Sequence, residues 1–269
     1  MFQSFLNLKT RIRNRCRWEA SHLLGRRMGR VQLDVPIISF TFDDFPSSAL
    51  NVGGEILRQH GVRGTYYVSL GLMDQEIPAG RAFSAEDLMR LVADGHELGC
   101  HTFAHCHAWE TEPRAFEESI LQNRRALKQL MPKVVMQTLS YPISCPRPQT
   151  KRVAAKYFSC ARGGGQTFNA GTADLDCLNA FFLEKCKGDV GQIKRIVDAN
   201  ASASGWLVFA THDVCSSPTR FGCTPDVFGR VVDCAVESGA AILPVWEALQ
   251  RAFTLPTRDI KGRQLCHQP

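Results

Sequence analysis

The sequence predicts an α/β protein whose parallel strands are joined by helical crossovers. Short apolar, β-rich stretches alternate with longer amphipathic ones, and no linker interrupts this alternation between residues 36 and 253. Alternation of this kind is typical of βαβ units, in which each strand returns to the same sheet in the same direction. With 269 residues, 44% of them hydrophobic, the chain is long enough to bury one full core as a single domain.

Each predicted element has a recognisable pattern. Eight stretches have the composition of strands, at 36–42, 64–70, 96–100, 134–141, 157–161, 178–184, 206–212 and 240–244. Six stretches between them have helical periodicity, at about 48–60, 84–94, 113–130, 147–156, 189–202 and 224–238. Ser84-Ala85-Glu86-Asp87 and Thr111-Glu112-Pro113 have the residues of helix starts.

Four short motifs follow one another, and three of them lie at the end of a predicted strand. They are Thr41-Phe42-Asp43-Asp44, His101-Thr102-Phe103-Ala104-His105, Ser140-Tyr141-Pro142-Ile143 and Thr211-His212-Asp213. Because strand carboxyl ends in an α/β barrel share one face, residues far apart in sequence are expected to meet there. One Asp and two His can bind a divalent metal and leave positions open for water and substrate. The second Asp and the third His can then transfer protons, so the set indicates a metal-dependent hydrolase.

Each pair within these motifs also has a plainer interpretation. Asp43 and Asp44 resist joint ionisation and should point to opposite sides, so a metal is expected for one of them. Alternatively, the two open a loop or cap the next helix. His101 and His105 can face one ion from a helical turn, or can be two idle imidazoles of a solvated turn. His212 can instead be a structural residue whose ring N–H donates a hydrogen bond to a nearby carbonyl.

Together, the motifs resemble the polysaccharide deacetylase family, also called the NodB-homology family or carbohydrate esterase family 4. The resemblance covers roughly residues 36–250. It implies a single distorted, incomplete (β/α) barrel with about seven parallel strands. We therefore expect a basic N-terminal arm at 1–34, the barrel at 35–255 and a polar C-terminal tail at 256–269.

The resemblance also implies roles for five residues. Asp43 takes the place of the general base and His212 that of the general acid. Asp44, His101 and His105 take the places of the ligands of one divalent metal ion. Zinc suits these ligands best, with cobalt, nickel and manganese as alternatives. The implied reaction is hydrolysis of the acetamide of an N-acetylated sugar or polysaccharide, and the implied substrate is an N-acetylated glycan or glycolipid.

One motif departs from the family pattern. Many members carry an Arg-x-Pro-Tyr stretch, and here Ser140 stands where the Arg would be, before Tyr141-Pro142-Ile143. These three residues are still expected at the substrate or oxyanion site, with a backbone N–H near Ile143 as the oxyanion donor that the family motif suggests. Arg162 can supply the missing charge from the next strand end, or it can be a surface residue beside a flexible glycine turn.

A second departure concerns the late His. The Asp-Trp pair that tunes this residue in typical members is not found, and Asp213 is the substitute candidate. Two rival functions stay open: a metal-dependent amidase acting on a non-sugar C–N amide bond, and a catalytically silent member that binds glycan. The presence of all five motif residues argues against the silent member.

Charge is concentrated at the N-terminus. Residues 1–30 carry eight Lys and Arg against one Glu, a net +7, whereas the whole chain is +6. Aromatic and aliphatic residues are interleaved with these charges, so residues 1–30 can lie on an anionic membrane. The alternative is a helix packed against the barrel with its Arg side chains solvated. No nucleic acid is expected, because no recognised module accompanies the charge.

Cysteine usage and hydropathy bear on the compartment. The eleven Cys include no Cys-x-x-Cys pair and are odd in number, which favours a reducing compartment over a disulfide framework. No apolar segment is long enough to span a bilayer, and the first residues are too polar for a signal peptide. The expectation is a cytoplasmic protein that can associate with a membrane.

Overall fold

The computed structural model describes residues 2–143 and 145–253, and strands and helices alternate in it as the sequence predicts. The strands are β1 (Met28–Arg30), β2 (Ile37–Phe42), β3 (Thr65–Val68), β4 (Glu76–Ile77), β5 (Gly80–Arg81), β6 (Glu97–Cys100), β7 (Thr138–Ser140), β8 (Cys160–Arg162), β9 (Thr172–Asp174), β10 (Phe181–Phe182), β11 (Trp206–Thr211) and β12 (Ala241–Ile242). The helices are α1 (Phe2–Leu23), α2 (Glu55–Gln59), α3 (Ala85–Ala93), α4 (Pro113–Leu130), α5 (Pro148–Ala154), α6 (Val190–Ser202), α7 (Pro225–Glu237) and α8 (Val245–Ala252). The tail predicted at 256–269 lies outside the described residues.

Eight parallel strands form the main sheet. Their order is β10-β11-β2-β3-β6-β7-β8, and β12 pairs with the first residues of β2. All eight overlap the eight predicted strand stretches, so the parallel α/β prediction is confirmed. The sheet curls into a half-barrel surrounded by helices, which confirms the incomplete (β/α) barrel. Its two edges approach at a bridge between Arg162 and Leu178.

Strands β11 and β2 are the second and third strands in this order, and they form the longest pairing of the sheet. They pair over six residues, from Trp206 beside Ile37 to Thr211 beside Phe42, and every residue of both strands is buried. Burial on both faces explains why both strands are apolar almost throughout. Because the register is even, the strands end at the same level, and the N–H of Asp43 donates to the carbonyl of Thr211 at 2.9 Å.

Both predicted helix starts are confirmed. Ser84 and Asp87 form a reciprocal capping box at the start of α3, and α4 begins at Pro113. The helix predicted at 48–60 is instead split into a π-helical turn, Ala49–Gly54, followed by α2. Its glycines let the turn approach the sheet closely, because a Cβ on Gly53 would lie 3.0 Å from Cε1 of Phe42.

Two helices, α1 and α8, were not among the predicted amphipathic stretches. For α1 the sequence left a membrane arm and a packed helix open, and the last turn of α1 does pack against the barrel. Lys151, which is fully buried, donates from Nζ to the carbonyls of Ser21 at 2.8 Å and Leu24 at 3.0 Å. Residues 28–30, assigned to the arm, form β1 and pair antiparallel with β9. Among the described helices, none is long and apolar enough to cross a membrane.

Candidate metal and catalytic site

The candidate residues lie at the carboxyl ends of the parallel strands. Asp43 and Asp44 follow β2, His101 follows β6, His212 follows β11, and Arg162 is the last residue of β8. The strands therefore bring together residues that are up to 169 positions apart in sequence. This is the convergence expected where parallel strands end on one face.

Asp44, His101 and His105 form a cluster with the donor atoms of a metal site. Oδ1 of Asp44 lies 3.5 Å from Nε2 of His101 and 3.3 Å from Nε2 of His105. The three ligand atoms lie within 4.8 Å of one another, and no other such cluster occurs in the described part of the chain. Oδ1 of Asp44 is buried, and no hydrogen-bond donor of the described residues reaches it. A buried carboxylate oxygen without a donor is costly unless a cation binds it, so the cluster fits a divalent ion.

The segment from His101 to His105 is a loop rather than the helical turn that its spacing suggests. Thr102 and His105 have φ of 60° and 48°, and Asp44, on the facing loop, has φ of 60°. Left-handed backbone at non-glycine residues costs about 1–3 kcal/mol each and persists where the surroundings hold it. One such contact is the N–H of Cys106 donating to Oγ1 of Thr102 at 2.9 Å. The two imidazoles therefore converge because the chain reverses between them.

His101 is held in one tautomer. Its Nδ1–H donates to the backbone carbonyl of Ser140 at 2.8 Å, which leaves the lone pair of Nε2 facing Asp44. Burial lowers the pKa of His101 to about 4, against the opposing negative charges of Asp43 and Asp44. The ring is therefore neutral at physiological pH, which is the form that binds a metal.

Asp43 is bound by a buried arginine. Nη2 of Arg162 donates to Oδ1 of Asp43 and, at 2.6 Å, to Oγ of Ser140. Burial alone would raise the pKa of Asp43, but the positive charge of Arg162 holds it well below its usual range. Asp43 is therefore ionised at neutral pH. The two adjacent carboxylates have different partners, and Arg162 is 1% exposed rather than a surface residue.

The motif after β7 contributes mainly backbone to the site. The hydroxyl of Tyr141 is buried and donates to the carbonyl of Asp176 at 3.0 Å, and burial raises its pKa well above the ordinary value. The carbonyl of Pro142 accepts from the N–H of Ala108 at 3.3 Å. Ile143 has φ of 62° and a side chain that is 57% exposed, so it lies at the open rim.

His212 and Asp213 point to different partners. Nδ1 of His212 lies 3.2 Å from the carbonyl of Phe221. Both carboxylate oxygens of Asp213 accept from Thr219, one from its N–H at 2.7 Å and one from its hydroxyl at 2.6 Å. A Cβ on Gly222 would lie 2.3 Å from Oδ1 of Asp213, so glycine is required where this loop closes. Asp213 thus organises the loop from 213 to 223, and its hydrogen bonds go to that loop instead of to His212.

Glu184 is a site residue that sequence reasoning missed. It follows β10, the neighbour of β11, and its buried Oε2 has no hydrogen-bond partner among the described residues. Burial raises the pKa of Glu184, and a positive charge on His212 opposes this rise. Glu184 therefore lies within electrostatic range of His212. The signal that could have found it is a titratable residue at the end of the apolar run Phe181-Phe182-Leu183.

Comparison with known proteins agrees with this geometry. Residues 30–158 match the family model described as polysaccharide deacetylase, which confirms the resemblance drawn from the motifs. A chitooligosaccharide deacetylase from Sinorhizobium fredii is 26% identical over 118 residues, which are 44% of this chain and 51% of the relative. The matching region thus spans about half the length of this curated relative.

Two solved structures share the fold. One is the family 4 esterase domain of a multidomain xylanase from the hindgut metagenome of Trinervitermes trinervoides, with a TM-score of 0.59 and 16% identity over 81% of this chain and 91% of the other. The second is a family 4 pseudoenzyme from Bacillus anthracis, with a TM-score of 0.55 and 11% identity over 82% of this chain and 68% of the other. At these identities the likeness concerns the fold alone.

Proposed function

We propose that this protein is a metal-dependent hydrolase that removes the N-acetyl group from an N-acetylated sugar or polysaccharide. The match of residues 30–158 to the polysaccharide deacetylase family model supports this proposal. The observation that carries the proposal is the division of labour at the end of β2. Asp44 lies against His101 and His105, whereas Asp43 is ionised beside Arg162. A metal ligand and a proton acceptor at adjacent positions are what amide hydrolysis requires.

One divalent ion per chain would be held by Asp44, His101 and His105. Zinc is the first choice for one carboxylate and two imidazoles, with cobalt, nickel and manganese as alternatives. When bound, such an ion polarises the acetyl carbonyl and lowers the pKa of water. The hydrogen bond from His101 to Ser140 supports this role, because it orients the ring and leaves Nε2 free.

Asp43 is the proposed general base and Arg162 its positioning residue. The guanidinium binds one oxygen of Asp43 and so holds the carboxylate ionised and in one orientation. Asp43 takes the proton of water as the oxygen attacks the acetyl carbon. In this proposal Arg162 does from β8 what the arginine of the family motif does from the strand end occupied here by Ser140.

The tetrahedral oxyanion is proposed to meet a backbone N–H near Ile143. The left-handed turn at Ile143 and the bond from Ala108 to Pro142 hold this segment in place. A fixed donor of this kind stabilises developing charge without reorganisation. The buried hydroxyl of Tyr141 donates to Asp176, so we assign Tyr141 and Pro142 to the support of this turn.

His212 is the proposed general acid. It donates a proton to the nitrogen as the carbon–nitrogen bond breaks, because an amine anion is a very poor leaving group. The carbonyl of Phe221 orients its ring, and Glu184 is a buried carboxylate within electrostatic range of it. The products are acetate and a free amino sugar, and the proton taken by Asp43 balances the one given by His212.

The substrate class rests on the names of relatives. A chitooligosaccharide deacetylase is among them, so β-linked N-acetylglucosamine oligomers are the first substrates to test. The decisive experiment measures acetate release by zinc-loaded protein from such oligomers and from simple non-sugar acetamides. Asp43→Asn protein, prepared identically, excludes a contaminating hydrolase.

The outcomes separate the candidates. Turnover of glycans that Asp43→Asn abolishes supports the proposal. Turnover of the non-sugar amides alone favours the amidase. Stoichiometric metal without hydrolysis of any acetylated compound favours a catalytically silent member. A pseudoenzyme from Bacillus anthracis with the same fold makes this outcome worth testing.

A further inference from the structure

The inner face of α1 is bound to two loops of the barrel. Ser21 is fully buried, its hydroxyl donates to the carbonyl of Pro146, and it lies 3.1 Å from Sγ of Cys145. One turn earlier, Nη1 of Arg17 lies 3.1 Å from Oε1 of Glu110. The guanidinium of Arg17 also lies 5.4 Å from the centre of the indole ring of Trp109. Residues 17 to 21 of α1 therefore pack on the barrel rather than extending into solvent.

Both loops also belong to the rim of the candidate site. Glu110 follows the metal-ligand candidate His105 by five residues, and the N–H of Cys145 donates to the carbonyl of Ile143 at 2.7 Å. The two loops are joined to each other, because the N–H of Ala108 donates to the carbonyl of Pro142. Helix α1 thus contacts the two loops that follow the site residues His105 and Ile143.

A buried lysine fixes the orientation of α1. Nζ of Lys151 donates to the carbonyls of Ser21 and Leu24 and pairs with the carboxylate of Asp174. A lysine removed from water is costly unless all its donors are satisfied, and here three acceptors meet it. Because the last turn of the helix is held in this way, the side of α1 opposite Ser21 must face outward.

Apolar side chains line that outward face, together with Glu19, whose carboxylate pairs with Arg15 at 3.2 Å. Ile12, Cys16 and Leu23 are spaced by four and seven residues, so they form one stripe along the helix. Ile12 is 55% exposed and Leu23 59% exposed, and Cys16 is also exposed. Leu24 and Met28 extend the exposed apolar surface beyond the end of the helix. Exposed apolar residues along one side of a helix that is rich in Arg are typical of a helix that lies on a membrane surface.

The charge around this stripe identifies its occupant. Arg13, Arg15, Arg26 and Arg30 are exposed, and residues 1–30 carry a net +7 on a chain whose other residues sum to about −1. We propose that the outward face of α1, from Ile12 to Leu23, docks on an anionic lipid surface, together with the exposed Leu24 and Met28 that follow the helix. Aliphatic side chains would enter the interface while the arginines meet the headgroups. A second copy of the chain fits this face poorly, because two such patches would repel each other.

Docking would place the rim at Ile143 close to the lipid surface. The docking inference rests on the proposed function and narrows its substrate class. The natural substrate would be an N-acetylated glycan carried on a membrane lipid. The helix would then serve as an adaptor, with one face on the loops of the site and the other on the membrane.

The first test measures cosedimentation with vesicles. Unaltered protein should bind vesicles containing phosphatidylglycerol, should bind pure phosphatidylcholine weakly, and should be released by salt. The Ile12→Glu/Leu23→Glu variant should bind at least tenfold more weakly. The matched control is Met89→Glu/Val236→Glu, which makes the same change at two exposed apolar residues outside α1 and should bind normally. Absence of binding by unaltered protein, or equal loss in both variants, would overturn the proposal.

Charge and self-association supply further tests. Arg13→Glu/Arg26→Glu should reduce binding to anionic vesicles and weaken its salt dependence, while leaving the fold intact by circular dichroism. Light scattering then asks whether the same face joins two copies. A dimer that Ile12→Glu/Leu23→Glu dissociates would mean that a second chain covers the stripe, and the lipid proposal would be wrong.

A comparison of soluble and lipid-borne substrates separates this proposal from the deacetylase assignment. Ile12→Glu/Leu23→Glu should deacetylate soluble oligomers at the normal rate and lose activity on an N-acetylglucosamine lipid embedded in anionic vesicles. An unchanged ratio of the two rates would overturn the lipid-borne substrate while the deacetylase stands. Vesicle binding without turnover of either substrate would remove the deacetylase and leave the docking.

Discussion

Strands β2 and β11 run side by side, and each is followed directly by two titratable residues. After β2, both side chains face the candidate site, Asp43 toward Arg162 and Asp44 toward the two imidazoles. After β11, only His212 remains at the site, because Thr219 binds both oxygens of Asp213. The same local pattern thus yields two site residues at one strand end and a single one at the other.

The difference lies in what the chain does next. At Asp44 the backbone turns into the left-handed region, which brings the second carboxylate to His101 and His105. At Asp213 the chain starts a loop that returns to it at Gly222, so the second carboxylate is used to close that loop. Two adjacent charges at a strand end therefore predict one site residue, while the role of the second depends on the loop that comes after it.

The largest effects are expected from substitution of Asp43 and Asp44, the pair that follows β2. Asp43→Asn should retain one equivalent of zinc and lose about 10²–10⁴-fold in kcat, since it removes the general base. Asp44→Asn should lose the metal itself, together with activity. Metal content and turnover of each purified variant check this. If Asp43→Asn loses zinc while Asp44→Asn keeps it, the two roles are reversed.

His212→Ala should lower kcat by a similar factor, and it should change the pH profile. With Asp43 ionised and His212 protonated, the rate of the unaltered enzyme should pass through a maximum. Loss of the general acid should flatten the alkaline limb. An alkaline limb that persists in His212→Ala would mean that another residue delivers the proton.

Glu184→Gln provides the finer test of His212 and should cost about tenfold or less. A carboxylate near an imidazole stabilises a positive charge on the ring, so its removal should weaken proton donation by His212. The loss in kcat should therefore be largest on the alkaline side of the pH–rate profile, a pattern that a purely structural defect would not produce. Measurement of kcat across pH for both proteins decides this.

Arg162→Met tests the buried partner of Asp43 through stability. Removing one partner of a buried ion pair typically costs about 3–5 kcal/mol in the free energy of unfolding. The pKa of Asp43 is depressed in the folded chain, so its stabilising contribution is present above the ordinary aspartate pKa and lost as the pH falls. The difference between the two proteins in urea unfolding should therefore shrink in acid. A pH-independent difference would argue that Arg162 acts by packing alone.

The smallest effect is expected at Asp213. Asp213→Asn keeps one oxygen acceptor and loses the charge, so it should cost about 1–2 kcal/mol of stability and only a few-fold in kcat. Thr219→Val, which removes one of the donors to Asp213, should resemble it. A loss in Asp213→Asn as large as that in Asp43→Asn would mean that the second strand end contributes two catalytic groups.

Much of this molecule could be predicted from periodicity and from the residues directly after each strand. All eight strands of the main sheet overlap predicted stretches, because a strand buried on both faces leaves an apolar run that few other structures share. The titratable residues at three strand ends stand out because they interrupt such apolar runs. Glu184 was missed because it lies inside the stretch predicted as a strand at 178–184, whereas β10 itself ends at Phe182.

By itself, the sequence determined which residues could do chemistry and on which face of the sheet they would meet. It could not decide which side chains face each other, because that depends on contacts between segments distant in the chain. The contact of Arg162 with Asp43 joins residues 119 positions apart, and Lys151 fixes a helix 130 positions earlier. The backbone turns at Asp44 and His105 are likewise held by their surroundings rather than by local preference. Hydrophobic periodicity in the sequence indicates which residues are buried, whereas the side chains that contact one another are decided only in the assembled fold.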